Sequence, residues 1–185
     1  MLSDKPPYDP RVVANELIDL GLEFGIAITH LSLQKTIYFL HEKHLKAFGK
    51  PLCGGHFEAW KHGPVHPQLW TSFKRAGAEP IRHHAYGLDI STGALRNLPK
   101  IENKTVRRFI VSEGLALLEM PAPRLVGLSH ARNGPWDLVT TIPGGKREFG
   151  ARIPNDLIVQ TKNARMIPIR NDEVENEVFD EQPPS

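Results

Sequence analysis

The chain has 185 residues, the length of one ordinary domain with loose ends, and its 40% hydrophobic and 24% charged residues exclude disorder as a description of the whole. The formal charge of +2 hides a split: all 23 Lys and Arg lie at or before Arg170, together with 15 of the 21 Asp and Glu, so residues 1–170 carry +8 and the tail from 171 carries −6. Cys53 is the only cysteine, which excludes an intramolecular disulfide framework and a thiolate-built structural zinc site. No apolar signal core opens the chain and no apolar run reaches ~18 residues, so a soluble cytoplasmic protein with no membrane partner is expected.

Residues 1–8 read as a flexible, proline-containing arm. Asp9 and Pro10 are a helix cap and first helical residue, Val13, Leu17, Leu20 and Phe24 form one stripe, and Gly25 closes the helix. A second helix starts near Leu31, capped by Thr29 or Ser32, with Leu33, Ile37, Leu40, His44 and Phe48 as its buried stripe and Gly49-Lys50-Pro51 as its stop. An irregular stretch runs from Cys53 to Trp60. Gly63-Pro64 and Pro67 then lead into a third helix with Leu69, Trp70 and Phe73 on its apolar side.

Residues 81–99 read as a small hairpin or ordered loop around Ser91-Thr92-Gly93. Helices are expected over 103–120, 124–130, 135–141 and 154–161, with a possible edge strand at Met166–Ile169, where Pro168 forbids a central position. The expected fold is a mostly α, compact and irregular multi-helix domain over 9–165, followed by an acidic, disordered tail over 171–185.

The sequence holds little catalytic chemistry. His41-Glu42-Lys43-His44 is one residue short of the zinc-helix signature, Gly63-Pro64 breaks any helix that would align His62 with His66, and His83-His84 reads as a solvated pair. Gly144-Gly145-Lys146 lacks the earlier glycine and the following Ser or Thr of a phosphate loop. Cys53 becomes a nucleophile only if a histidine meets it in space; otherwise it is a small buried side chain. No catalytic residue, metal or cofactor is assigned.

The densest unusual segment is Phe57-Glu58-Ala59-Trp60-Lys61-His62-Gly63-Pro64-Val65-His66-Pro67. Its prolines and glycine stiffen the backbone and fix Trp60, either as a recognition residue on a loop or as a plug in the core beneath it. A second cluster runs from Ser129 and His130 to Pro135 and Trp136.

These motifs, with Leu33-Gln34-Lys35-Thr36-Ile37-Tyr38-Phe39, Gly49-Lys50-Pro51-Leu52 and Ile153–Ile158, resemble the successive motifs of the Panacea domain over about residues 9 to 162. That is the domain of SocA-like antitoxins and phage-associated GepA-type proteins. The resemblance implies a mostly helical antitoxin that binds a cognate toxin and, in the SocA type, delivers it as a proteolytic adaptor to the ClpXP protease. The expected partner-binding residues are Trp60, Lys61, His62, Gly63, Pro64, His66, Trp70 and Arg75, presented by the Gly-Pro turn and the helix it launches. Gln34, Lys35, Tyr38, His130 and Trp136 are expected to be scaffold. His62, Thr36 and Arg132 depart from the family's usual residues, so partner specificity does not transfer. A nucleic-acid-binding regulator is the alternative, though Lys and Arg are scattered rather than clustered on one helix and nucleic acid is not the expected partner. A hydrolase built on Cys53 is a third class.

Overall fold

The structure is a computed structural model that describes residues 5–161 and 182–184. The expected edge strand at 166–169 and the acidic tail, apart from 182–184, lie outside the described residues.

Helix α1, Pro10–Phe24, starts where Asp9 accepts from the Arg11 N–H at 2.9 Å and ends on Gly25 in the left-handed region. Val13, Leu17 and Leu20 are buried, but Phe24 is exposed together with the rest of the last turn, so the stripe ends one turn early. Tyr8, inside the arm expected to be flexible, is buried, and its backbone exchanges hydrogen bonds with Leu52 and Gly54 at 2.8 and 2.7 Å.

Helix α2, His30–Phe48, carries a capping box: the Ser32 N–H donates to Thr29 Oγ1 at 3.2 Å, and the Thr29 N–H donates to Ser32 Oγ at 3.0 Å. The sequence suggested one buried stripe. Instead every residue from His30 to Glu42 is buried, because α1, the helices over Pro67–Phe73, Lys104–Leu118, Ala122–Ser129 and Asn155–Gln160, and the strand Gly63–Val65 pack around it; only Phe48 of the expected stripe is exposed. A helix covered on all sides has no polar face to give to water, so its Gln, Lys, Thr, His and Glu residues need partners inside the protein.

The remaining helices are α3 (Pro67–Phe73), followed by a 3-10 turn over Lys74–Ala76, then α4 (Lys104–Leu118), α5 (Ala122–Ser129), α6 (Pro135–Thr140) and α7 (Asn155–Gln160). Prolines start α3 and α6, where a missing N–H costs nothing. About half of the described residues are helical.

The mostly α expectation omits a three-stranded antiparallel sheet in the order β2-β1-β5, formed by Gly63–Val65, Phe57–Trp60 and Arg152–Ile153. Of the stretch read as irregular, Phe57–Trp60 is strand β1, and the residues read as a Gly-Pro turn begin strand β2. The hairpin expected within 81–99 is present as β3 (Tyr86–Leu88) and β4 (Leu95–Asn97), with Leu88 opposite Leu95.

The β1–β2 turn consists of Lys61 and His62, since Trp60 pairs with Gly63. Neither turn residue has a positive φ. Gly63 supplies it at +103°, directly after the turn, the arrangement of a turn closed by a glycine bulge. There is no room for a side chain there either: a Cβ would overlap Ser129 Oγ and lie 3.1 Å from Lys35 Cε. Gly63→Ala should therefore lower stability by roughly 1–3 kcal/mol, read as a shift of the urea midpoint; an unchanged midpoint would show that the hairpin is not seated as described.

Candidate protein-binding site

Gln34 and Lys35, neighbours on α2, are both 0% exposed. Gln34 Oε1 accepts from the His66 N–H at 2.9 Å while Gln34 Nε2 donates to the His66 carbonyl at 3.3 Å, so one amide holds both backbone groups of one residue. Lys35 Nζ donates to the Pro64 carbonyl at 3.1 Å. Buried polar groups are costly unless bonded, so these contacts fasten the Pro64–His66 backbone to α2 in one register. The His66 ring is buried too. Its Nε2–H donates to the Gly54 carbonyl at 2.9 Å and burial lowers its pKa, which leaves Nδ1 unprotonated and without a partner among the described residues.

The other side of the hairpin is held by aromatic packing. Trp136 Nε1 donates to the Trp60 carbonyl at 2.8 Å. His130 stacks on Trp136 with ring centres 3.8 Å apart, and the Arg147 guanidinium lies 4.7 Å from that indole's centre while it donates to Asp137 Oδ1 and Thr140 Oγ1. Trp60 is itself buried: its Nε1 donates to Glu58 Oε2 at 2.9 Å, and its ring lies 5.6 Å from Trp70, over which Lys74 Nζ sits at 4.5 Å.

The expected partner-binding residues thus divide. Trp60 and His66 are each only 3% exposed, and Gly63 and Pro64 are buried, so the turn does not present them; Trp60 is the plug. The physical reason is the pairing: with Lys61 and His62 as the turn, Trp60 falls on a strand whose side chain enters the layer between the sheet and α3. Lys61 and Arg75 are exposed, and His62 and Trp70 are half-buried. Of the expected residues, these four are the ones that the hairpin, α3 and the 3-10 turn leave exposed or half-buried.

Tyr38 packs edge-on against Phe39 and Phe57, at 5.5 and 5.3 Å, and Trp136 is buried beneath the hairpin. Sequence reasoning missed Glu58, Ser129 and Arg147. Glu58 alone left a signal, as a lone carboxylate inside an aromatic strand.

The other histidines and Cys53 are held in ways that do not assemble chemistry. The Cys53 N–H donates to His41 Nδ1 at 3.3 Å, His41 Nε2 donates to Asn155 Oδ1 at 3.0 Å, and His44 Nδ1 donates to the Lys50 carbonyl at 2.7 Å. Burial, with the nearby Asp9 charge, pushes the Cys53 thiol far up, the opposite of what a nucleophile needs. His84 is not merely solvated but pairs with Asp19 at 2.7 Å. No group of three or more His, Cys, Asp or Glu is placed to hold a metal among the described residues.

A family model described as "Antitoxin SocA-like, Panacea domain" matches residues 33–137, and the chain is 34% identical over all of its length to Antitoxin SocA of Caulobacter vibrioides (strain NA1000 / CB15N), covering 98% of that protein. The chain belongs to the SocA-like Panacea family. No solved structure matches it. The matched Panacea segment begins on α2 at Leu33 and ends on α6 at Trp136-Asp137, so it contains the Gln34–Lys35 clamp, the hairpin and the His130–Trp136 stack. Helices α1 and α7 and strand β5 lie outside that segment but inside the full-length relationship.

The buried rings make the Panacea core acid-sensitive. Burial lowers His41 to about 4, against its hydrogen bond to Asn155 Oδ1, and lowers His130 to about 3, with the charges of Lys35 and Arg147 adding to the effect. Such groups bind protons more readily unfolded than folded, so their stabilisation is complete above the ordinary histidine pKa of about 6.5 and is lost as pH falls from there towards 4 and below. Urea unfolding at neutral pH and at about pH 5 should differ by a few kcal/mol, with the acid sample weaker; equal midpoints would mean that these rings take up protons in the folded protein.

Proposed function

We propose that this chain is the antitoxin of a toxin–antitoxin pair, that it neutralises its cognate toxin by direct binding through the face around the Lys61–His62 turn, and that it acts in the cytoplasm as a SocA-type adaptor delivering the toxin to ClpXP. The observation that carries the reading is the clamp. A fully buried Gln-Lys pair fixes a two-residue turn and its flanking Trp70 in place, while Cys53 is sealed in a form unsuited to attack. Rigid presentation of a few side chains is what a binding surface requires, because side chains already ordered lose less entropy on association. The full-length relationship to an antitoxin supports the same reading. Among the described residues no helix is long and apolar enough to cross a membrane.

Co-expression with the neighbouring reading frame tests this directly. Growth rescue and co-purification are expected for the natural chain. Paired reversal Lys61→Glu with Arg75→Glu should abolish both while leaving thermal unfolding within the scatter of the natural protein, because both side chains are exposed. The adaptor step predicts that rescue fails in a host without ClpX although the complex still forms. A natural chain that neither rescues nor co-purifies sinks the antitoxin reading, and rescue without ClpX reduces it to neutralisation by binding alone.

A further inference from the structure

We propose that the face around the β1–β2 turn is built for an acidic protein segment. The inference rests on that face being the partner-binding one and adds the chemistry of what it takes. Trp60 bridges two flanks, with its ring against Trp70 and its carbonyl against the Trp136 indole. Lys74 lies over the Trp70 ring, with the exposed Arg75 next to it in the chain, and the segments that carry His130 and Arg147 carry the exposed cations Arg132 and Lys146. Lys61 lies at the turn, and His62 is near enough to His130 to affect its proton affinity.

The carboxylates of the region are already engaged. Glu58 accepts from the Trp60 indole and from His56 Nε2, and Asp137 accepts from Arg147 and from the Asn133 N–H. Lys61, Arg75, Arg132 and Lys146 form no ion pair among the described residues, and on the same segments only the exposed Glu79 and Glu148 stand against them. Around α1 the balance is different: Asp9 takes Arg11, Glu16 takes Arg107, and Asp19 takes His84 and Lys100. The surplus of positive charge around a half-exposed indole therefore calls for carboxylates with an apolar residue among them.

A nucleic-acid duplex fits this face less well. The helix on it, α3, has seven residues and no cation before its end, so it offers no row of Lys or Arg to a groove. The cations sit on three separate segments around an aromatic, which suits a short peptide rather than a run of phosphates.

The test uses the full chain, a short labelled polyglutamate peptide and a labelled DNA duplex, read by fluorescence anisotropy at ionic strengths of about 0.05 and 0.15 M. The peptide should bind more tightly than the duplex and weaken with salt. Lys61→Glu with Arg132→Glu should reduce peptide affinity at least about tenfold, whereas Arg108→Glu, an exposed cation of α4 outside this face, should change it less than about twofold. No peptide binding, tighter duplex binding, or equal losses in the two variants would overturn the proposal. So would binding that appears only after deletion of 171–185, since the chain's own acidic end would then be the occupant. These outcomes are separate from growth rescue: an antitoxin that holds its toxin by apolar contacts rescues growth and still fails here.

Discussion

The structure depends on two adjacent side chains of α2 being answered by the backbone of β2. Gln34 and Lys35 are wholly inside the protein, where an unbonded amide costs a few kcal/mol and an unbonded ammonium more. Between them they bond the backbone on either side of Val65: Lys35 the Pro64 carbonyl, Gln34 both backbone groups of His66. A one-residue slip of the hairpin would bring the wrong carbonyl to Lys35 and would drive a Cβ into the space that Gly63 leaves beside Ser129. The hairpin's register, the outward position of Lys61 and His62, and the inward position of Trp60 all follow from that one attachment.

What could be read from the sequence was whatever depended on neighbours along the chain. Asp9-Pro10 and Gly25, Thr29 with Ser32, Asn103, and Pro135 are local signals, and the helices they bound lie where those signals place them. The clustering of Phe57–Pro67 with Ser129–Trp136 was legible as resemblance, and both segments do meet, through the Trp60 carbonyl and the Trp136 indole. What escaped was set by tertiary contact. The stripe on α2 could not reveal that the helix is covered on every side from His30 to Glu42, because burial of its remaining polar residues depends on partners from other elements. Strand β5 has two residues, too few for any alternation to register. Gly63-Pro64 has the composition of a turn, yet the turn falls two residues earlier, since a glycine of positive φ directly after a turn serves the hairpin as well as one inside it.

That displacement alters which residues can face a partner. A turn at Gly63-Pro64 would have left Trp60 outside as an aromatic anchor; a turn at Lys61-His62 spends that indole on packing and puts a cation at the tip. The aromatic of this face that keeps partial exposure is then Trp70, and Lys74 over its ring already occupies one side of it. Aromatic and Arg side chains carry most interface energy in protein complexes, so under the binding role proposed above Trp70 and Arg75 would be the anchors and Lys61 would steer approach through its charge.

The same buried cation shapes the acid response. His41 and His130 both fall far below the ordinary histidine value, to about 4 and about 3, with different causes added to burial. Burial is the largest cause in both, but His41 donates a hydrogen bond to Asn155 Oδ1 that favours its charged form, whereas His130 faces the charges of Lys35 and Arg147 and has an Nε2 without a partner among the described residues. A site that has taken in one cation resists a second. Lys35 thus does two things from one position: it holds Pro64, and its charge adds to the burial that keeps the ring stacked on Trp136 neutral, so that the support beneath the hairpin stays an uncharged aromatic stack in the neutral range.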